Sequence, residues 1–249
     1  MTEEQGIKPI DSLRLAEPLA SQLRFLIEAD SLKSVIRGSR IADGSRRENT
    51  AEHSWHIALF ALVLAPHAAE RIDVLRVVSM LLIHDLVEID CGDTPLFDEV
   101  GTATQAAREA VAARRLFGML PTEQATEILA LWDEFETAAT ADARFAKAID
   151  RLQPILLNHA VGGGTWTDYD VDAARERALT CRIADGSPAL WGAAEAIIND
   201  AVCRGWLRPA PGKPEWPMQG RPRTDLSPSM TPRRTPETSQ WLSFRETSG

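Results

Sequence analysis

The sequence predicts an all-α domain over residues 12–206 followed by a proline-rich tail, and three observations carry that expectation. Apolar residues recur at helical spacing in one segment after another. No run alternates apolar and polar residues between hairpin turns, as a half-buried strand would. The segments are separated by glycine, proline and small polar residues, which break helices.

Taken in order, Leu19, Leu23, Leu26 and Ile27 form the first helical stripe, and the apolar positions of 54–64, 74–87, 107–120, 125–135, 145–157 and 190–202 continue the pattern. The breaks fall at Gly44-Ser45, Pro66, Gly92-Asp93-Thr94-Pro95, Gly118 to Pro121, Gly162-Gly163-Gly164 and Gly186-Ser187-Pro188. One helix start is fixed by side-chain chemistry. Asn49-Thr50-Ala51-Glu52 matches the capping box, in which the first side chain accepts from the fourth amide and the fourth carboxylate reaches back. The next helix opens near Ile72-Asp73. Past residue 206 the pattern stops. From Arg208 onward lie eight of the fifteen prolines, and Pro209, Pro211, Pro214 and Pro217 forbid a helix, so 207–249 is expected to be a disordered tail. With seven Lys/Arg and four Asp/Glu that stretch carries +3, leaving the body at −12 out of a total of −9.

This balance disfavours a general nucleic-acid binder, because affinity for a polyanion comes from basic residues. The N-terminal MTEEQGIKPIDS has neither the basic start nor the apolar run of a signal peptide, and no apolar stretch approaches the roughly 18 residues of a membrane span. Cys91, Cys181 and Cys203 are too few for a disulfide framework. A cytoplasmic protein is expected, with neither membrane nor nucleic acid as partner.

The chemistry concentrates at the end of the 74–87 segment. At about 100° per residue, His84, Asp85 and Glu88 share one side of an otherwise hydrophobic helix. Burying them unpaired would cost several kcal/mol, so a charge partner is expected, and a divalent cation would supply it. His53, at the capped helix start, and Asp150, within Phe145 to Leu152, could complete the set. The plainer readings stand beside this one: a His-Asp pair is commonly a structural hydrogen bond, and Asp150 next to Arg151 or Lys147 could form a surface ion pair worth about 1 kcal/mol at most. His56 reads as a supporting or packing residue, His67 and His159 as structural or exposed, and Cys91 as a small core residue.

His53, then His84-Asp85, then Asp150, each in a helical segment, resembles the H…HD…D signature of the HD-domain metal-dependent phosphohydrolases. The flanking Arg47-Glu48-Asn49-Thr50-Ala51-Glu52-His53-Ser54, His84-Asp85-Leu86-Val87-Glu88 and Gly92-Asp93-Thr94 look like the branch of the HD-domain 5′-deoxynucleotidases, over roughly 20–205. The resemblance implies an all-α HD fold, often a homodimer. His53, His84, Asp85 and Asp150 then hold the metal, Glu88 and Asp93 are catalytic, and Glu88, Asp93 and the Thr94 backbone can contribute to additional ions. Two imidazoles and two carboxylates suit Mn²⁺, Co²⁺, Fe²⁺, Zn²⁺ or Mg²⁺ without choosing among them. Arg37 and Arg47 are the candidate substrate-phosphate donors, with Arg46 nearly as well read as solvated loop charge. Where several family members carry a tryptophan after the arginine matched by Arg37, used in recognising deoxyribose, Gly38-Ser39-Arg40-Ile41 follows here. Between Asp85 and Asp150 there is no histidine, which disfavours a histidine-bridged pair of metals. The expected substrate is a nucleoside 5′-monophosphate or a related small phosphomonoester; the alternative is a noncatalytic nucleotide- or metal-binding module that regulates a partner.

Overall fold

The computed structural model describes residues 13, 15–94, 96, 97 and 99–211. The chain divides into units 1–215 and 216–249, and the second unit, with most of the expected tail, lies outside the described residues. Helices dominate. α1 (Leu19–Ala29) is followed by a 3-10 turn, a short hairpin of β1 (Ile36–Arg40) and β2 (Arg47–Asn49), and then α2 (Thr50–Leu64), α3 (Val74–Ile83) and the single turn α4 (Glu88–Cys91). Next come α5 (Glu99–Phe117), α6 (Thr122–Thr137) and α7 (Ala141–Ala160). The short α8 (Thr165–Asp168), α9 (Ala173–Thr180) and α10 (Ile183–Gly186) lead to α11 (Pro188–Arg204).

The central element is α7, which lies against α2, α3, α6, α10 and α11. Its inward positions Phe145, Ile149 and Ile155 are fully buried in one apolar cluster with Ile57 of α2, Val77, Met80 and Leu81 of α3 and Ile198 of α11. Each such side chain contributes about 1.5–3 kcal/mol on burial. A second cluster joins Phe25 of α1, Leu116 and Phe117 of α5 and Trp132 of α6 to Leu86 and Val87. The segment from His84 to Val87 therefore runs from one core into the other.

Two local features differ from the sequence reading. The periodicity of 74–87 predicts one continuous helix, yet α3 ends at Ile83 and His84–Val87 form a 3-10 turn before α4. The hydrophobic pattern is blind to this change because Leu86 and Val87 remain buried either way. The hairpin has no apolar signature, because IRGSR and REN carry a single apolar residue, Ile36, and so show no alternation. Its strands pair antiparallel through the backbone, Ile36 with Asn49 and Arg40 with Arg47, around a turn in which Gly44 takes a positive φ of 74°. The short helices α8 to α10 likewise fall in a region where no helical stripe is legible. Beyond residue 206, Leu207 is buried and the Ala173 amide donates to the Arg208 carbonyl at 2.9 Å. No helix among the described residues is long and apolar enough to cross a membrane.

Candidate metal centre

The capping box forms as expected: the Glu52 amide donates to Asn49 Oδ1 at 2.9 Å and the Asn49 amide to Glu52 Oε2 at 3.1 Å. This sets the first turn of α2 and turns His53 fully inward. His53 Nε2 lies 3.0 Å from Asp150 Oδ1, and His53 Nδ1 lies 3.2 Å from Gln153 Oε1. The amide of Gln153 is oriented by its other end, which donates to Glu48 Oε2 at 3.0 Å and to His56 Nδ1 at 3.2 Å. Its oxygen therefore faces His53, takes the Nδ1 proton and leaves Nε2 as the ring atom turned toward Asp150. His56 reaches the cluster only through Gln153.

His84 is held in the same sense. Its Nδ1 donates to the Leu81 carbonyl at 2.9 Å, its own carbonyl accepts from Trp132 Nε1 at 3.1 Å, and its ring sits 4.7 Å from that of Phe135. His84 Nε2 is buried without a hydrogen-bond partner, although Asp150 Oδ1 is 3.6 Å away and Asp85 Oδ1 3.0 Å away but out of alignment. One donor atom each from His53, His84 and Asp150 lies within 4.8 Å of the others. Metal–ligand bonds of about 2.0–2.2 Å place neighbouring donors roughly 3.0–3.5 Å apart, so the 3.0 and 3.6 Å separations suit the edges of a coordination shell. The buried, unpartnered Nε2 and a second imidazole fixed in the ligating tautomer fit a divalent cation held by His53, His84 and Asp150. Asp85, whose other oxygen is 3.9 Å from His53 Nε2, stands at the rim of the group.

The electrostatics state the same need. Burial opposes a proton on His84, yet Asp85 and Asp150 push its pKa up to about 10. Burial also opposes ionisation of Asp150, but the imidazoles of His53 and His84 beside it hold its carboxyl well below the usual range. Asp85 is brought down to about 2 against its burial, by His84 first and then Arg37. Glu88 is pushed up to about 9 by burial and then by Asp85, and burial raises Asp93. Positive charge is scarce for the carboxylates gathered here, and a cation supplies it.

Arg37, from β1, reaches into this group. Its Nη1 donates to Asp85 Oδ2 at 2.9 Å and lies 3.5 Å from Glu88 Oε1 and 3.4 Å from Asp93 Oδ1. Glu88 Oε2 accepts from the Thr50 hydroxyl at 2.9 Å, and Asp93 Oδ2 from the Gly38 amide at 3.3 Å. Thr94 follows, its hydroxyl accepting from Arg108 at 3.3 Å. Arg37, His84, Asp85, Glu88, Asp93, Thr94 and Asp150 all line one cavity of about 230 Å³, which continues along α7 to Asn158. Arg47 is placed differently: it is exposed, pairs with Asp168 at 3.3 Å and is not part of this lining. Arg46 pairs with Glu52 at 2.7 Å.

Sequence reasoning missed Gln153, Glu48 and Thr50 as functional supports. The available signal was an amide placed three residues after Asp150 among Leu152, Pro154 and Ile155, a polar group on a buried stripe.

An all-α domain that turns imidazoles and carboxylates from three segments onto one buried point is a metal-binding helical domain. Residues 29–191 match the HD domain family, and the chain belongs to it. A crystal structure of a predicted metal-dependent phosphohydrolase from Magnetospirillum magnetotacticum MS-1 is 52% identical, covering 76% of this chain and 95% of that one with a TM-score of 0.73. The 5′-deoxynucleotidase HDDC2 of Homo sapiens is 31% identical over 137 residues, 55% of this chain and 66% of that protein. The Bos taurus protein of the same name is 33% identical over 135 residues, 54% of this chain and 64% of its own length. The chain thus spans just under two thirds of the length of these curated relatives.

Proposed function

We propose that this protein is a divalent-metal-dependent phosphohydrolase that releases phosphate from nucleoside 5′-monophosphates or a related small phosphomonoester. The observation that carries the reading is the buried His53, His84 and Asp150 group opening on a cavity that also holds Glu88 and Asp93. The names of the relatives, a 5′-deoxynucleotidase and a metal-dependent phosphohydrolase, support it.

His53, His84, Asp150 and Asp85 would hold the cation. When bound, it supplies Lewis acidity to the phosphoryl oxygens and lowers the pKa of water. Gln153 and the Leu81 carbonyl keep the two imidazoles in the ligating tautomer. Glu88, fixed by Thr50 and Arg37, accepts the proton of the attacking water in its ionised form. Asp93, anchored on the Gly38 amide and pushed up by burial, gives a proton to the leaving alkoxide. Arg37 holds Asp85, Glu88 and Asp93 in register.

Phosphate release from a panel of deoxy- and ribonucleoside 5′-monophosphates, with Mn²⁺, Co²⁺ or Mg²⁺ added to metal-stripped protein, tests the assignment. Turnover of 5′-monophosphates in at least one metal is expected. Turnover of none in any metal would remove the nucleotide reading.

A further inference from the structure

The cavity that opens on the donor group is rich in carboxylates: Asp85, Glu88, Asp93, Glu109, Glu136 and Asp150 all line it. A phosphate dianion entering it needs a cation that these acids have not already engaged. Arg37 is engaged, its Nη1 lying within 2.9–3.5 Å of three carboxylates. Lys147 is engaged too, 2.9 Å from Glu136 and 3.8 Å above the ring of Phe135.

Arg151 is not. It lines the same cavity, is half-buried, and makes no hydrogen bond or ion pair with any described residue. Its position is set by α7. Arg151 directly follows Asp150, and it stands four residues after Lys147 and four before Ile155, both of which also line the cavity. Residues four apart share a helix face, so Arg151 belongs to the wall itself. The exposed arginines of the hairpin are neutralised locally, Arg46 by Glu52 and Arg47 by Asp168. A guanidinium on the cavity wall with no partner among the described residues keeps its donors available for an incoming anion. Its planar fork matches a phosphoryl group.

We propose that Arg151 is the side chain that binds the substrate's phosphate, a role that the sequence pattern assigns to Arg37 and Arg47. The inference rests on the phosphohydrolase reading but is tested separately from it. Inorganic phosphate is titrated calorimetrically into the full chain loaded with Mn²⁺. Arg151→Gln is expected to weaken phosphate binding roughly ten- to hundredfold, the worth of a charged hydrogen bond. Mn²⁺ affinity and thermal midpoint stay at the wild-type values. Arg151→Lys, which keeps the charge without the fork, recovers part of the loss. With any phosphomonoester that is turned over, the change falls mainly on KM. Phosphate binding by Arg151→Gln as tight as wild type overturns the proposal, as does an Mn²⁺-loaded wild type that binds no phosphate. If nucleotides are not turned over while phosphate binding still depends on Arg151, the substrate class fails and this inference stands.

Discussion

His84 shows what the centre asks of a single side chain: one nitrogen fixed to the Leu81 carbonyl, the other buried and left without a partner. In the ion-free protein that nitrogen holds its proton up to about pH 10, because Asp85 and Asp150 outweigh the effect of burial. A cation must displace it, so binding releases protons and apparent affinity rises as pH rises. The expected result is tighter Mn²⁺ binding at pH 8 than at pH 6, with proton release measured by calorimetry in buffers of different ionisation enthalpy; pH-independent binding would contradict it. Asp85 and Glu88 separate under mutation. Asp85→Ala abolishes cation binding, whereas Glu88→Ala keeps the cation and loses about a hundredfold or more in rate, as removal of a general base does. Equal loss of the cation in both would make Glu88 a ligand.

At the scale of elements, three junctions position the site: the capped start of α2, the 3-10 turn between α3 and α4, and the packing of α7 against its neighbours. The first was legible, because the Asn49 and Glu52 chemistry is local and complete within four residues. The second was not. The apolar pattern runs through Leu86 and Val87 unbroken, and what ends α3 is the tertiary demand of feeding one core on one side and the other core beyond. Gln153 and Glu48 were illegible for a related reason. A buried amide is visible in sequence, but its partners stand about a hundred residues away in the chain. The close approach of α10 to α7 gives a test. A Cβ at Gly186 would strike the Arg144 carbonyl, so Gly186→Ala should destabilise the protein by about 1–3 kcal/mol, read as a lower denaturation midpoint. An unchanged midpoint would mean that the two helices do not meet there.

For the whole molecule, the charge of −9 ceases to be featureless once the cavity is located. Part of the acidity belongs to Asp85, Glu88, Asp93 and Asp150, which gather from separate segments around one point. The helical class was readable from period and breaks because both large cores are built from helix stripes. The hairpin carrying Arg37 was hidden because it contributes backbone pairing and charge, not apolar surface. In the proposed reaction the cation and the hydrolysis share one site. The direct measurement adds Mn²⁺ stepwise to metal-stripped protein and follows site occupancy and phosphate release together, in wild type and Asp150→Ala. Release is expected to rise in step with occupancy, and Asp150→Ala to lose both. Hydrolysis indifferent to the cation, or intact in an Asp150→Ala protein that binds none, would contradict it.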